Sequence, residues 1–199
     1  MRYRLFSAIE LTPELLARLD AHRAEYKAAG PRGSVRWARS QGLHVTLRFY
    51  GAVDQGQMPE LQAGLQRAAA AAAPFTLTIQ GLGVFPNPQQ PQVLWAGLSG
   101  DLPPLQQLAA QLEAAAVALG FAPERRAFAP HLTLGRVRDH LRPADLTALM
   151  RVVEQAQGQV LGELRADSLS LMSSELRPMG AVYERLFLAP FGLAPAGAA

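Results

Sequence analysis

The amino-acid sequence predicts an α+β fold with antiparallel or mixed sheets, and three observations lead to that class. Segments with the alternating pattern of strands are interspersed with segments whose apolar residues recur at helical spacing. The turn PNPQQP at 86–91 separates two strand segments and indicates a tight hairpin. The chain has 199 residues, of which 49% are hydrophobic, and this suits one compact domain or two small lobes. A hairpin among mixed elements favours α+β over a doubly wound parallel sheet.

The first two elements have the clearest boundaries. YRLFSAIEL at 3–11 is typical of a strand, and a helix is predicted over 12–30. Thr12 is a good N-cap, Pro13 suits the first helical turn and Gly30 suits the end of the helix. We therefore expect the chain to start with a strand and a capped helix.

The other elements alternate between short apolar runs, which are typical of strands, and alanine- or leucine-rich segments, which are typical of helices. In chain order they are predicted as strands at 35–37 and 43–51, a helix at 57–73, strands at 74–85 and 92–98, a helix at 101–120, a strand at 126–137, a helix at 142–157, and strands at 162–176 and 181–190. Residues 1–190 are predicted to form a single bilobal domain, and 191–199 a loosely ordered tail.

Composition excludes several classes of protein. The chain has no cysteine, so disulfides, thiol nucleophiles and cysteine metal sites are excluded. No apolar run approaches the roughly 18 residues that a membrane span needs, and the first residues lack the apolar core of a signal peptide. We therefore expect a cytoplasmic protein without a membrane partner, and nothing in the sequence demands more than a monomer.

The basic residues are nearly all of one kind. The net charge is +3, and 18 of the 19 basic residues are arginine. The planar fork of arginine suits phosphate recognition, although GC-rich coding explains the total as well. Position along the chain must therefore show which arginines bind a ligand.

Two strand segments carry the same motif. HVTL begins at His44 and HLTL begins at His131, which is 87 residues further along. Because side chains alternate along a strand, His44 and Thr46 share one face, and so do His131 and Thr133. The intervening apolar residues face the core. This spacing is expected of two related halves that each contribute one strand to a shared cleft.

Histidine and threonine at this spacing suit phosphodiester chemistry. Histidine titrates near neutrality, so two imidazoles on either side of a substrate atom can act as general base and general acid. The threonine hydroxyls can donate to phosphate oxygens or orient the rings. A single His-x-Thr-Leu strand more often contains a structural histidine, but two copies arise by chance in roughly one of several thousand such chains. The acidic residues are scattered, so we expect neither a metal nor another cofactor.

These residues resemble a known family. The paired His-x-Thr motifs are the signature of the 2H phosphoesterases. The segments RLFSAIEL, VRWARSQGLHVTLRFYG, GLGVFPNPQQPQVLWAGL, ERRAFAPHLTLGRV and SLSLMSSEL follow in order, and they look like the bacterial and archaeal RNA 2′,3′-cyclic phosphodiesterase, or 2′-5′ RNA ligase, family. The resemblance implies two pseudo-symmetric lobes, each with an antiparallel sheet and outer helices, and an active-site cleft between the sheets.

The resemblance also implies an activity. The family opens the terminal 2′,3′-cyclic phosphate of RNA to a 2′-phosphate without metal, and it can join RNA ends reversibly without ATP. By analogy His131 is the proton acceptor, His44 is the proton donor, and Thr46 and Thr133 bind the phosphate. The expected partners are RNA with a 2′,3′-cyclic phosphate end, tRNA fragments among them, and nucleotides.

Arg136 is the residue on which alternation and resemblance disagree. The family pattern has an active-site arginine at this position, which also makes Arg136 a phosphate-binding candidate. Strict alternation, however, places Arg136 on the face opposite His131, unless Gly135 hosts a bulge. Phe49 breaks alternation with His44 in the same way, and it either lines the base pocket or packs in the core.

Three further residues near the first motif are candidates for substrate contact. Arg48 shares the face of His44 by alternation. Arg36 and Trp37 precede the motif, where a cation and a stacking ring can meet RNA, although core packing explains Trp37 equally well. Two other functions stay open: a 2H phosphoesterase for a small cyclic nucleotide or ADP-ribose cyclic phosphate, and a non-catalytic protein that binds RNA ends.

Overall fold

A computed structural model describes residues 2–177 and 180–192 of the chain. The described residues form nine strands and four α-helices. The strands are β1 Arg2–Glu10, β2 Val35–Trp37, β3 His44–Asp54, β4 Phe75–Phe85, β5 Val93–Gly100, β6 His131–Val137, β7 Val160–Ala166, β8 Ser168–Arg177 and β9 Gly180–Pro190. The helices are α1 Pro13–Ala29, α2 Met58–Ala70, α3 Leu102–Ala118 and α4 Pro143–Gln155. None of the described helices is long and apolar enough to cross a membrane.

The start of α1 follows the predicted capping. The Thr12 hydroxyl accepts a hydrogen bond from the backbone N–H of Leu15 at 3.3 Å, and a proline occupies the first turn. Each of the other three helices also has proline at its start, where the missing N–H costs no intrahelical hydrogen bond. Gly30 follows the last residue of α1, as predicted.

The strands form one antiparallel sheet in the order β7-β4-β5-β6-β3-β1-β8-β9, with β2 paired to β6 beside this path. The order consists of two halves, β7-β4-β5-β6 and β3-β1-β8-β9. The halves meet where Val45 of β3 pairs with Leu132 of β6. The prediction of an α+β fold is confirmed, and the two expected sheets are continuous through this narrow junction.

The segment predicted as one strand at 162–176 is two strands, and this prediction was wrong. β7 pairs with β4, whereas β8 pairs with β1 in the other half, and only Asp167 separates them. Each strand alternates by itself, but the buried positions change phase at Asp167, from Leu164 and Ala166 to Leu169 and Leu171, and the prediction missed this signal. Because the two halves are joined through Asp167, the sheet curls and its far ends converge. The predicted strand at 126–137 likewise begins only at His131.

Most apolar side chains lie on one face of the curled sheet, with the helices packed against that face. Val45, Leu132 and Leu134 are fully buried there. A second, small cluster of Phe6, Ala8 and Met172, with Tyr183 packed against it, lies on the other face of the first half. The sheet therefore has a core face and an opposite face, and the second face bears the candidate site.

The predicted tail begins with an anchored residue. Phe191 is buried, and its ring stacks on Phe75 with centroids 5.8 Å apart. The backbone N–H of Gly192 donates to the carbonyl of Ala69 at 3.1 Å. The remainder of the predicted tail, 193–199, lies outside the described residues.

Candidate active site

The two histidines lie on the same face of the sheet, on either side of the junction between its halves. Val45 and Leu132 are paired and both point into the core. Because neighbouring side chains on a strand point to opposite faces, His44 and Thr46 project from the other face of β3, and His131 and Thr133 from the other face of β6. All four side chains are partly exposed. The structure thus brings together the four motif residues that the sequence singled out.

The two imidazoles are held in the same way. Nδ1 of His44 lies 2.8 Å from the carbonyl oxygen of Gly42, and Nδ1 of His131 lies 2.7 Å from that of Ala129. A carbonyl can only accept, so Nδ1 carries the hydrogen in both rings. The neutral form of each ring therefore has Nε2 as its free proton acceptor, turned away from the backbone anchor. This arrangement suits proton transfer at Nε2.

Aromatic rings flank each histidine. The Phe6 and Tyr183 rings lie 4.6 and 4.9 Å from the His44 ring, the second of them edge-on. Phe85 lies edge-on to His131 with ring centroids 5.0 Å apart, and the Trp95 ring is 6.4 Å away. Sequence reasoning did not identify these residues. They come from strands far away in the chain, and only the strand pairing places them here.

Burial makes His44 a weak base. It lowers the pKa of His44 from 6.5 to about 4, and the positive charge of a protonated His131 acts in the same direction. The Gly42 carbonyl and the Glu10 carboxylate oppose the shift because both favour the protonated ring. Glu10 is the register partner of His44 in the β1–β3 ladder. It accepts a hydrogen bond from the Ser170 hydroxyl and an ion pair at 3.2 Å from Arg185.

Both motif strands contain a bulge directly after the motif threonine. On β3, Thr46 pairs with Ala8 and Arg48 with Ser7, so the intervening Leu47 has no partner on β1. On β6, Thr133 pairs with Trp95 and Gly135 with Leu94, so Leu134 is the extra residue. A bulge of one residue shifts the alternation by one position.

The bulge on β6 resolves the conflict over Arg136. Leu134 and Gly135 are both buried, and alternation then restarts with Arg136 exposed on the face of His131. The charge of Arg136 also acts on the Tyr183 hydroxyl: burial raises the pKa of Tyr183, whereas Arg136 and Arg4 oppose that rise. Tyr183 in turn contacts His44.

The bulge on β3 has the same effect on Phe49. This side chain is 45% exposed, pairs with Phe6 in the ladder, and lies 5.2 Å from the Phe6 ring. Phe6 in turn contacts His44. Phe49 therefore lies on the face of His44, at the position equivalent to Arg136.

Arg48 was expected on the face of His44, and that expectation was wrong. The bulge turns Arg48 toward the core, where it is only 7% exposed. Its guanidinium forms an ion pair with Glu113 of α3 and donates to the carbonyls of Phe49 and Ala122, the latter at 2.6 Å. Arg48 occupies the position that Gly135 has in the second half, and it holds α3 and the following loop against β3.

Trp37 and Arg36 point to opposite faces of the short strand β2. The Trp37 ring packs under the cations of α1, 5.4 Å from Lys27 Nζ and 5.8 Å from the Arg23 guanidinium. Its register partner is the buried Gly135, so Trp37 faces the helices and does not reach the cleft. Arg36 is exposed and pairs with Arg136. Core packing thus explains Trp37, and the cleft face includes Arg36.

Metal ligands are not clustered in the part of the chain that the structure describes: residues 2–177 and 180–192 contain no group of three or more His, Asp or Glu side chains that could bind an ion. The groups available for chemistry are two imidazoles, two threonine hydroxyls and arginine. An α+β scaffold that presents two His-x-Thr strands on one face of a curled antiparallel sheet defines the two-histidine class of phosphoesterases.

Comparison with known proteins narrows this class. The sequence model of the 2′-5′ RNA ligase superfamily matches residues 12–177 of this chain. An RNA 2′,3′-cyclic phosphodiesterase of Methanothermobacter thermautotrophicus is 32% identical over 183 residues, which cover 92% of this chain and 96% of that protein. The crystal structure of TT0787 of Thermus thermophilus is similar with a TM-score of 0.77 at 26% identity, covering 96% of this chain and 98% of the other. The chain belongs to the 2′-5′ RNA ligase superfamily.

A structure of E. coli LigT complexed with 3′-AMP has the same fold. Its TM-score is 0.75 at 24% identity, and the match covers 96% of this chain and 99% of that one.

Proposed function

We propose that the protein hydrolyses the terminal 2′,3′-cyclic phosphate of RNA to a 2′-phosphate. The observation that carries this proposal is the pair of imidazoles on one face, each with Nδ1 hydrogen-bonded to a backbone carbonyl and Nε2 free. The relatives named RNA 2′,3′-cyclic phosphodiesterase support the choice of substrate.

In the proposed reaction His131 accepts a proton from water, and the water oxygen attacks the phosphorus. The bond between phosphorus and O3′ breaks, and His44 donates a proton to O3′ as it leaves. Thr46, Thr133 and Arg136 bind the non-bridging oxygens, where negative charge builds up in the transition state. The side chains of this chain perform each proton transfer, so the reaction is proposed to proceed with a chelator present.

One electrostatic contact supports the division of roles, although burial acts against it. Glu10, the register partner of His44, favours the protonated form that a proton donor needs. The ring contacts of His131 are with Phe85 and Trp95, which add no charge. In the free protein, burial holds the pKa of His44 at about 4. His44 is therefore proposed to take up its proton when the negatively charged substrate binds.

The same geometry allows the joining reaction. If the 5′-hydroxyl of a second RNA replaces water, His131 accepts its proton, and the same O3′ leaves with the proton of His44. The product is then a 2′-5′ phosphodiester, and no ATP is consumed because the cyclic ester supplies the free energy. The proposal therefore includes a weak and reversible 2′-5′ ligation.

The test is hydrolysis of an oligoribonucleotide with a 2′,3′-cyclic phosphate and of a cyclic mononucleotide, both with EDTA, followed by identification of the product. We expect a 2′-phosphate, and a loss of about 10³-fold in turnover for His44→Ala and for His131→Ala. His140→Asn is the matched control, because His140 is exposed, has a φ of 59° that asparagine tolerates, and lies outside the two motifs.

Three results would contradict the proposal in different ways. Turnover of the mononucleotide or an ADP-ribose cyclic phosphate alone would favour a small-molecule phosphoesterase. RNA-end binding without hydrolysis would favour a non-catalytic role. Full activity in His44→Ala would remove the assigned proton donor.

A further inference from the structure

Two arginines stand directly opposite each other beside the histidine pair. Arg36 of β2 and Arg136 of β6 are register partners in an antiparallel ladder. Both are exposed, and directly paired residues point to the same face of a sheet. That face is the one bearing His131 and Thr133, because the bulge at Leu134 returns Arg136 to it. Like charges at such a position destabilise a strand pair.

Among the described residues, no acidic group compensates this pair. Neither Arg36 nor Arg136 forms an ion pair or a side-chain hydrogen bond with any residue in the ranges 2–177 and 180–192. Some other exposed arginines are neutralised: Arg2 pairs with Asp54 at 3.1 Å, and Arg142 with Asp145 at 2.7 Å. Two adjacent, unpaired guanidinium groups have the properties of a binding site for an anion.

The position of the pair indicates which anion it binds. Arg136 lies on the face of His131, where the reacting phosphate is proposed to bind, and its charge acts on Tyr183, which contacts His44. Arg36 lies on the neighbouring strand β2, about 5 Å from Arg136 along the hydrogen-bonding direction. A single phosphate at the histidines needs only Arg136. A second phosphate, next along the RNA, is the group that would reach Arg36.

We propose that Arg36, together with Arg136, binds the phosphate that joins the terminal nucleotide to its 5′ neighbour. This inference rests on the proposed function and names its substrate class: the site distinguishes an oligonucleotide end from a cyclic mononucleotide without a 5′-phosphate. Arg136 contacts both phosphates, and Arg36 contacts only the second.

The experiment compares substrates that differ in one charge. They are a dinucleotide with a 2′,3′-cyclic phosphate end, the same dinucleotide with a neutral methylphosphonate linkage, and a cyclic mononucleotide with and without a 5′-phosphate. The measured quantity is the ratio of kcat/KM for the charged and the neutral member of each pair. We expect a ratio of about 10 or more in the wild type, as is typical of a charge-assisted hydrogen bond.

The variant Arg36→Gln should bring both ratios close to 1, and Arg36→Lys should restore part of the preference. The dependence of log(1/KM) on log salt for the charged dinucleotide should become shallower by about 0.7 in Arg36→Gln, which corresponds to one phosphate contact on a single strand. Arg67→Gln is the matched control: Arg67 is exposed on α2, and its loss changes the net charge equally. Thermal unfolding of each variant verifies that it is folded.

The outcomes separate this inference from the function on which it rests. Turnover by the wild type with a ratio near 1, or a ratio that Arg36→Gln leaves unchanged, would overturn the second-phosphate site alone. An equal loss in Arg67→Gln would show that only net charge matters and would overturn it as well. If the wild type opened none of the cyclic phosphates, the proposed function would fall, and this inference with it.

Discussion

A phosphate bound between the two imidazoles should raise the pKa of His44 by about 3 units. In the free protein that pKa is about 4, chiefly because the ring is buried. A single negative charge about 4 Å from the ring, at an effective dielectric constant of about 20, favours the imidazolium by roughly 4 kcal/mol. Since one pKa unit corresponds to about 1.4 kcal/mol, the bound-state pKa should be roughly 7.

The assay is an NMR titration of the His44 ring, assigned by comparison with His44→Gln, in the free protein and with a saturating 2′-nucleotide. The kinetics should change in parallel. Because kcat/KM reports the free protein and kcat the complex, the loss of rate caused by deprotonation of His44 should occur at higher pH for kcat than for kcat/KM. A free-state pKa near 6.5, or a pKa of about 4 that the nucleotide leaves unchanged, would refute this reasoning.

Three further predictions concern the groups behind the site. Glu10→Gln removes the carboxylate that favours protonated His44, so NMR should show a lower pKa of His44. The loss of kcat at alkaline pH should then move to lower pH. An unchanged pH profile would contradict this role of Glu10. Arg48→Met leaves Glu113 without its cation and should lower the free energy of unfolding, measured in urea, by about 3 kcal/mol. The double variant with Glu113→Met should regain part of this loss. Strict additivity of the two single-variant losses would contradict a direct pairing. Gly135→Ala should destabilise the protein by about 1–3 kcal/mol in the same assay. A Cβ at this position would lie 2.7 Å from the Val35 side chain and 3.0 Å from the Arg36 carbonyl oxygen, both on β2. A variant as stable as the wild type would show that β2 shifts freely.

The sequence predicted the parts of the site that depend on local alternation. His44 and Thr46, and their equivalents on β6, share a face because only one residue separates them. Alternation failed beyond the threonines, since a bulge depends on pairing with another strand: Leu47 is extra only relative to β1. Arg48 was therefore placed on the wrong face. Tyr183 could not have been identified, because its contact with His44 requires β9 to pair with β8 and β8 with β1.

The fold shows the same division between local and long-range information. Caps and prolines set the helix boundaries, so α1 was predicted to within one residue at each end. The segment at 162–176 was predicted as one strand, yet its two parts pair with strands in different halves of the sheet. The phase change of the apolar positions at Asp167 and Ser168 is a local sign of the break, but the partner of each strand depends on pairing with distant segments.

The two equivalent bulges would allow a nearly symmetric scaffold to bind the proposed substrate in one orientation. The histidines are anchored alike, and the threonines follow them at the same spacing, so these four residues alone would accept a phosphate either way round. The fifth residue after each histidine breaks the symmetry, since the first half presents the ring of Phe49 and the second half the guanidinium of Arg136. A nucleotide is asymmetric in the same sense, with a base on one side and a phosphodiester on the other. In the proposed binding mode the base stacks on Phe49 and the phosphates reach Arg136 and Arg36. This orientation would determine which imidazole faces O3′, and the Glu10 carboxylate would favour the same assignment for His44.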